Sequence, residues 1–131
     1  MRETHRIAGP LEVPGKARPR VTKRGTAYMP RAYIESRSAI RALAVAEMAG
    51  AEPASGPVSV SVLIRRGAPK SLKRAETDIH RPDLDNCAGT VLDALSGVAW
   101  LDDSQIVRLV AEKLPRVPGK GPLMVVTWAS M

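Results

Sequence analysis

Phenylalanine is absent from this chain, cysteine occurs once, and the whole stretch from Pro82 to Val107 holds neither lysine nor arginine. With Tyr28, Tyr33, Trp100 and Trp128 as the only aromatic residues, the core must be built from aliphatic side chains. Stacking of bases on aromatic rings is then a poor candidate for the main binding mode. A lone Cys87 rules out an internal disulfide and a cysteine zinc cluster, which agrees with a reducing compartment. The longest apolar runs, Ala42–Ala46 and Val58–Ile64, fall far short of the ~20 residues that span a bilayer. Met1 to Arg6 does not lead into an apolar signal-peptide region. The expectation is a cytoplasmic protein with no membrane partner.

What is present is charge, unevenly spread. Residues 1 to 81 carry 16 Lys/Arg against 7 acids, residues 82 to 107 carry five aspartates and no base, and the whole chain is at +7. The basic balance is the electrostatic footprint of a polyanionic partner such as nucleic acid. An acidic knot inside a basic body is hard to explain as solubility, and easy to explain as a cation site that works on a polyanion.

At 131 residues the chain reads as one domain, 1–131, long enough to bury roughly two thirds of its unfolded surface. Ile7 to Val13 reads as extended. Arg20–Thr22 and Ala27–Met29 flank Lys23-Arg24-Gly25-Thr26, a hairpin with a basic tip. From Pro30 the apolar positions Tyr33, Ile40, Leu43, Ala44 and Met48 recur at helical spacing until Gly50. Val58 to Arg65 alternates as a strand does. A loop of about 17 residues follows, a length more often functional or mobile than structural, carrying Lys70, Lys73, Arg74, His80 and Arg81. Leu84, Ala88, Val91, Leu92 and Leu95 form the next helical stripe, with Asp83 as the expected N-cap, and Ile106–Leu114 and Leu123–Trp128 close the chain as strands. The expected fold is α/β of the α+β kind: a small mixed sheet layered by two helices.

Asp83 and Asp85 stand two apart at a helix start, near free backbone N–H groups and the positive end of the helix dipole. Two carboxylates about 5 Å apart nevertheless repel by roughly 3 kcal/mol at an effective dielectric near 20, more than a helix terminus usually returns. A cation resolves that conflict. A strand running beside the N-terminal end of this helix would bring Asp102 or Asp103 into the same cluster. Oxygen ligands without His or Cys in the motif suit Mg²⁺ or Mn²⁺ rather than zinc, and such an ion supports phosphodiester hydrolysis. The bland alternative is an ordinary N-cap with a dipole-matched neighbour, and a solvated Asp-Asp turn. An EF-hand starting at Asp83 fails, because Cys87, Ala88 and Ala94 fall where an oxygen ligand, Gly and Glu are needed. Lys120 lacks the glycine spacing of a phosphate loop.

Three stretches resemble the RusA family of Holliday-junction resolvases, small endonucleases carried by many phages and prophages. They are Pro14-Gly15-Lys16-Ala17-Arg18-Pro19-Arg20, then Arg81 to Asn86 with Val91 to Leu95, and Trp100 to Ile106; Lys113 falls where a basic residue is common. The resemblance implies catalytic carboxylates at Asp83, Asp85 and Asp103, with Asp102 beside them on the metal, Mg²⁺ as cofactor (Mn²⁺ as its substitute), four-way junction DNA as partner, and a homodimer. A two-fold symmetric junction that needs two incisions also calls for a C2 dimer when each chain offers one acidic site. Lys16, Arg18, Arg20, Lys23, Arg24, Lys70, Lys73 and Arg74 are the candidate DNA contacts. The chain departs from the family at Gly89, where a lysine that could stabilise charge on the phosphate is usual. Gly89 motivates the alternative of a junction-binding protein without catalysis; a nuclease acting on RNA or on DNA generally is a third reading. Cys87 is expected to be a packing residue, Trp100 to be buried beneath the Asp102 turn, and His80 to be a loop histidine of no catalytic use.

Overall fold

The computed structural model describes residues 3–131; Met1 and Arg2, which open the N-terminal stretch considered above, lie outside the described residues. The chain forms β1 (Thr4–Gly9), β2 (Arg20–Val21), β3 (Ala27–Tyr28), α1 (Arg31–Met48), β4 (Val58–Arg65), α2 (Leu84–Leu95), a short 3₁₀ turn at Asp103–Gln105, β5 (Ile106–Lys113) and β6 (Leu123–Ser130). Two helices and a mixed four-stranded sheet are present as the hydrophobic periodicity predicts. β1 lies earlier than the expected Ile7–Val13: it pairs Thr4–Gly9 with β6 and stops at Pro10, which has no N–H to offer a ladder. Pro30 precedes the first helical residue in an extended conformation, so it serves as N-cap of α1 and not as its first turn.

The sheet order is β1-β6-β4-β5. β6 is antiparallel to both β1 and β4, while β4 and β5 run parallel, joined by a crossover that contains α2. One sheet face is buried by strict alternation: Val58, Val60, Val62 and Ile64 of β4 interleave with half-buried neighbours, as do Met124, Val126 and Trp128 of β6. Both helices cover this face, α1 through Ile40, Ala44 and Met48, α2 through Cys87, Val91, Ala94 and Leu95. Burying each such aliphatic side chain contributes roughly 1.5–3 kcal/mol, and the two tryptophans supply the volume that phenylalanine would. At the far edge of the sheet, β5 departs from this pattern, leaving Val107, Leu109 and Val110 exposed.

The crossover fixes the direction of α2. Lys113, at the end of β5, donates from Nζ to the carbonyls of His80 and Pro82, immediately before α2. At the other end, Ser96 and Gly97 meet Trp100 just ahead of the 3₁₀ turn that opens β5. The N-terminus of α2 therefore stands over the end of β5, and its C-terminus over the beginning.

Candidate functional site

Of the acidic side chains between Asp78 and Asp103, most are already engaged. Asp78 is buried and receives Arg66 in a two-pronged ion pair, Nε at 2.7 Å and Nη2 at 3.0 Å. Asp93 accepts from Arg37 at 3.0 Å and from the Tyr33 hydroxyl at 3.4 Å. Asp102 caps the 3₁₀ turn by accepting the Ser104 amide, and the Gln105 side chain closes a capping box by accepting from the Asp102 amide. Asp103 accepts from the indole N–H of the fully buried Trp100 at 2.8 Å. Asp83 and Asp85 are different. Asp83 is the N-cap of α2 yet makes no side-chain capping bond, both residues are exposed, and neither enters an ion pair among the described residues.

Two uncommitted carboxylates at i and i+2 on a helix start, with exposed oxygen donors and free access from solvent, fit a hard divalent cation better than any softer ion. They supply only part of a coordination shell. Among the described residues no group of three or more His, Cys, Asp or Glu side chains is arranged to hold a metal. The reason is topological. Asp102 and Asp103 precede β5, whose beginning lies under the C-terminus of α2, and the twelve residues of α2 span roughly 18 Å. Within one chain the structure brings Asp83 and Asp85 together and places Asp102 and Asp103 at the opposite end of the α2–β5 layer.

The basic segment predicted to contact nucleic acid docks beside the free pair. Thr90 Oγ1 donates to the Pro14 carbonyl at 2.8 Å, and the Lys16 amide donates to the Asn86 carbonyl at 3.1 Å. Gly15 lets the segment approach closely at this crossing: a Cβ there would lie 3.0 Å from Pro82 Cβ, so that Pro82 would have to give way by a few tenths of an ångström, and 3.5 Å from Asn86 Cβ. Beyond it, the Lys16 stem lies across Gly89, with Cδ 3.5 Å from where a Cβ on that glycine would be. The structure thus sets a lysine stem over the helix position where the resemblance noted none. Arg18, Arg20, Lys23 and Arg24 continue this exposed arm into the β2–β3 hairpin, and Lys70, Lys73 and Arg74 stand exposed on the loop that leads to Asp83.

That loop is pinned at three places, which sequence reading missed. Arg66 grips Asp78, Asp78 also accepts the His80 amide at 3.1 Å, and Glu76 exchanges backbone hydrogen bonds with Arg116. Burial pushes the Asp78 carboxyl up, but Arg66 and the His80 amide outweigh it and hold the group below its ordinary value. The one available signal was an acid embedded in a basic loop. Cys87 is buried against Val13, its thiol pushed up by desolvation, and Trp100 is buried as predicted. His80 is exposed, 3.9 Å from Glu76.

Among the described residues no helix is long and apolar enough to cross a membrane. The chain is 38% identical over 78 residues to the uncharacterized protein YqaN of Bacillus subtilis (strain 168), an alignment that covers 48% of this chain and 55% of that protein. A family model described as Endodeoxyribonuclease RusA matches residues 10–125. With nearly the whole chain matched, including the α2 start, the basic arm and the acidic turn before β5, the protein belongs to the RusA endodeoxyribonuclease family.

Proposed function

We infer that this protein is a divalent-metal-dependent endodeoxyribonuclease that resolves four-way Holliday junctions by paired phosphodiester hydrolysis, acting as a homodimer in the cytoplasm. The observation that carries the reading is the pair of uncommitted carboxylates, Asp83 and Asp85, set against a docked basic arm. Asp83 and Asp85, with Asp103 and its neighbour Asp102, would hold Mg²⁺ or Mn²⁺. When bound, such an ion polarises a phosphate oxygen and lowers the pKa of a bound water. Asp83 and Asp85 fix where negative charge is concentrated. Lys16, Arg18, Arg20, Lys23 and Arg24 on one side, and Lys70, Lys73 and Arg74 on the other, neutralise backbone phosphates and set the register of the DNA without reading sequence.

The test is incision of an end-labelled four-way junction, with linear duplex and RNA as controls, in Mg²⁺ or EDTA, by wild type and Asp83→Asn. Symmetric, Mg²⁺-dependent cuts that vanish in Asp83→Asn support the resolvase. Tight, salt-sensitive junction binding without cuts under any divalent ion makes the protein a binding module, the outcome that Gly89 motivates. Equal cutting of duplex or RNA makes it a general nuclease.

A further inference from the structure

We propose that Ile79 is a wedge for the branch point of the junction. Its side chain enters between bases whose stacking the exchange of strands has interrupted, and so makes the protein prefer branched DNA to linear duplex. The proposal rests on the junction-directed reading above and names the residue that reads the shape of the substrate.

Ile79 is 87% exposed, more than any other large hydrophobic side chain among the described residues. One exposed aliphatic side chain is ordinary on a protein surface and carries nothing by itself. The setting distinguishes this one. The residue before it, Asp78, is buried and held by Arg66 through Nε at 2.7 Å and Nη2 at 3.0 Å. The residue after it is tied on both sides of its Cα: the His80 amide donates to Asp78 Oδ1 at 3.1 Å, and the His80 carbonyl accepts from Lys113 Nζ. The chain therefore makes a tethered turn whose base is an ion pair and whose apex is an exposed isoleucine. Such an apex can press on a neighbour without the loop yielding. Unstacking a base step costs a few kcal/mol, and a support that gives way before the step opens would deliver none of it.

The surroundings say what this side chain meets. Lys70, Lys73, Arg74 and Arg81 stand exposed on the same loop, and charges of this kind hold phosphates. A branched alkyl group gains nothing against phosphate. DNA offers it two apolar targets, the faces of the bases and the C5-methyl group of thymine in the major groove. In a linear duplex the base faces are closed by stacking. At a four-way junction the continuous stacks end at the exchange point, where faces open at least cost.

Position selects the branch point over the groove. Asp83 follows four residues after Ile79. Their Cα atoms therefore lie within about 14 Å of one another, even were the chain fully extended. That is about four base steps along one strand, at about 3.4 Å each. Lys113 shortens the path by gathering the carbonyls of His80 and Pro82 onto one ammonium. A wedge so close to Asp83 and Asp85 sets the distance between the opened step and the phosphate presented to them, which couples recognition of the branch to the place of incision.

A four-way junction carrying 2-aminopurine at the branch point tests this directly, because that base brightens when it is unstacked. Fluorescence anisotropy in EDTA measures binding to the same junction and to linear duplex without cutting. Wild type is expected to prefer the junction and to raise the 2-aminopurine signal. Ile79→Ser is expected to keep its duplex affinity, to lose about tenfold in junction affinity, the low end of what burying an isoleucine side chain returns, and to leave the signal dark. Ile79→Leu is expected to restore both. Since the side chain is exposed, both variants are expected to melt with wild type. Wild-type junction preference and signal in Ile79→Ser overturn the wedge. Equal losses on junction and duplex also overturn it, placing the side chain in a groove against thymine methyl groups. Wild type that prefers the junction and leaves the branch-point base dark removes the wedge alone, whereas wild type that binds junction no better than duplex removes the junction reading and the wedge together.

Discussion

The Pro82 carbonyl accepts a hydrogen bond from Lys113 Nζ at 2.9 Å, tying the last residue of β5 to the residue before Asp83. Lys113 also donates to His80, so one ammonium holds both turns of the chain entering α2. Its ammonium is engaged by these two carbonyls, and the bonds hold the entry to α2 in place. Lys113→Met is expected to reduce stability by about 1.5–3 kcal/mol, the scale of a hydrogen bond to a charged group. Urea unfolding measures this. Junction cleavage is expected to fall through kcat with little change in KM, and Lys113→Arg to restore part of it. A variant that loses stability and keeps full cleavage would show that Lys113 only holds the loop together.

The Arg66–Asp78 pair makes a second prediction. Asp78 has no exposed side-chain surface, so Asp78→Ala leaves a guanidinium that is 18% exposed without its partner. The loss is expected to reach about 3–5 kcal/mol, as for other broken buried pairs. The pH dependence has a definite sign. Because the folded-state value of Asp78 lies below its ordinary 3.8, its contribution is complete above that value and is lost as pH falls through the lower, folded one. Urea midpoints of wild type should drop between pH 5 and acid pH by more than those of Asp78→Asn, the excess being the share of this carboxyl. Equal drops in both proteins would assign acid sensitivity to other groups.

How far these features are legible in the sequence depends on whether they are local. The alternation of Val58 to Ile64 and the stripe Leu84, Ala88, Val91, Leu95 give β4 and α2 their bounds directly, because period two and period 3.6 need no knowledge of the rest of the chain. The placement of β6 between β1 and β4 is a matter of pairing between distant segments, and no periodicity encodes it. The same distinction runs through the site. Asp83 as an N-cap is written in the residues that follow it. The separation of Asp103 from Asp83 arises from the antiparallel run of α2 over β5, which short sequence distance conceals. The anchors of the long loop, Arg66 to Asp78 and Lys113 to Pro82, cross 12 and 31 residues, and the docking of Lys16 over Gly89 crosses more.

That docking predicts opposite outcomes for its two members. A Cβ at position 89 would meet the Lys16 stem at 3.5 Å, an ordinary van der Waals contact, and Gly in a helix interior costs about 1 kcal/mol relative to Ala. Gly89→Ala is therefore expected to stabilise the protein by up to about 1 kcal/mol and to leave junction binding intact. Lys16→Met keeps the stem and removes the charge. It is expected to weaken junction binding uniformly across sequences and to lower the slope of log K against log salt by about 1. A salt slope unchanged in Lys16→Met would mean that this ammonium never reaches a phosphate.

Asp83 and Asp85 are expected to oppose folding until a cation arrives. They repel one another, and the absence of a capping bond from Asp83 leaves that repulsion without a local return. In EDTA, Asp83→Asn should be at least as stable as wild type, since it removes one of the two like charges and surrenders no hydrogen bond. Added Mg²⁺ reverses the order. A ligand that binds only the folded state stabilises it by about 1.4 kcal/mol for each tenfold rise in concentration above Kd. The Tm of wild type should climb with Mg²⁺ while that of Asp83→Asn stays flat. Calorimetric scans at several Mg²⁺ concentrations, with matched NaCl to remove general screening, make the comparison. Parallel curves for the two proteins would show that Asp83 takes no part in holding the ion, whatever its effect on cleavage.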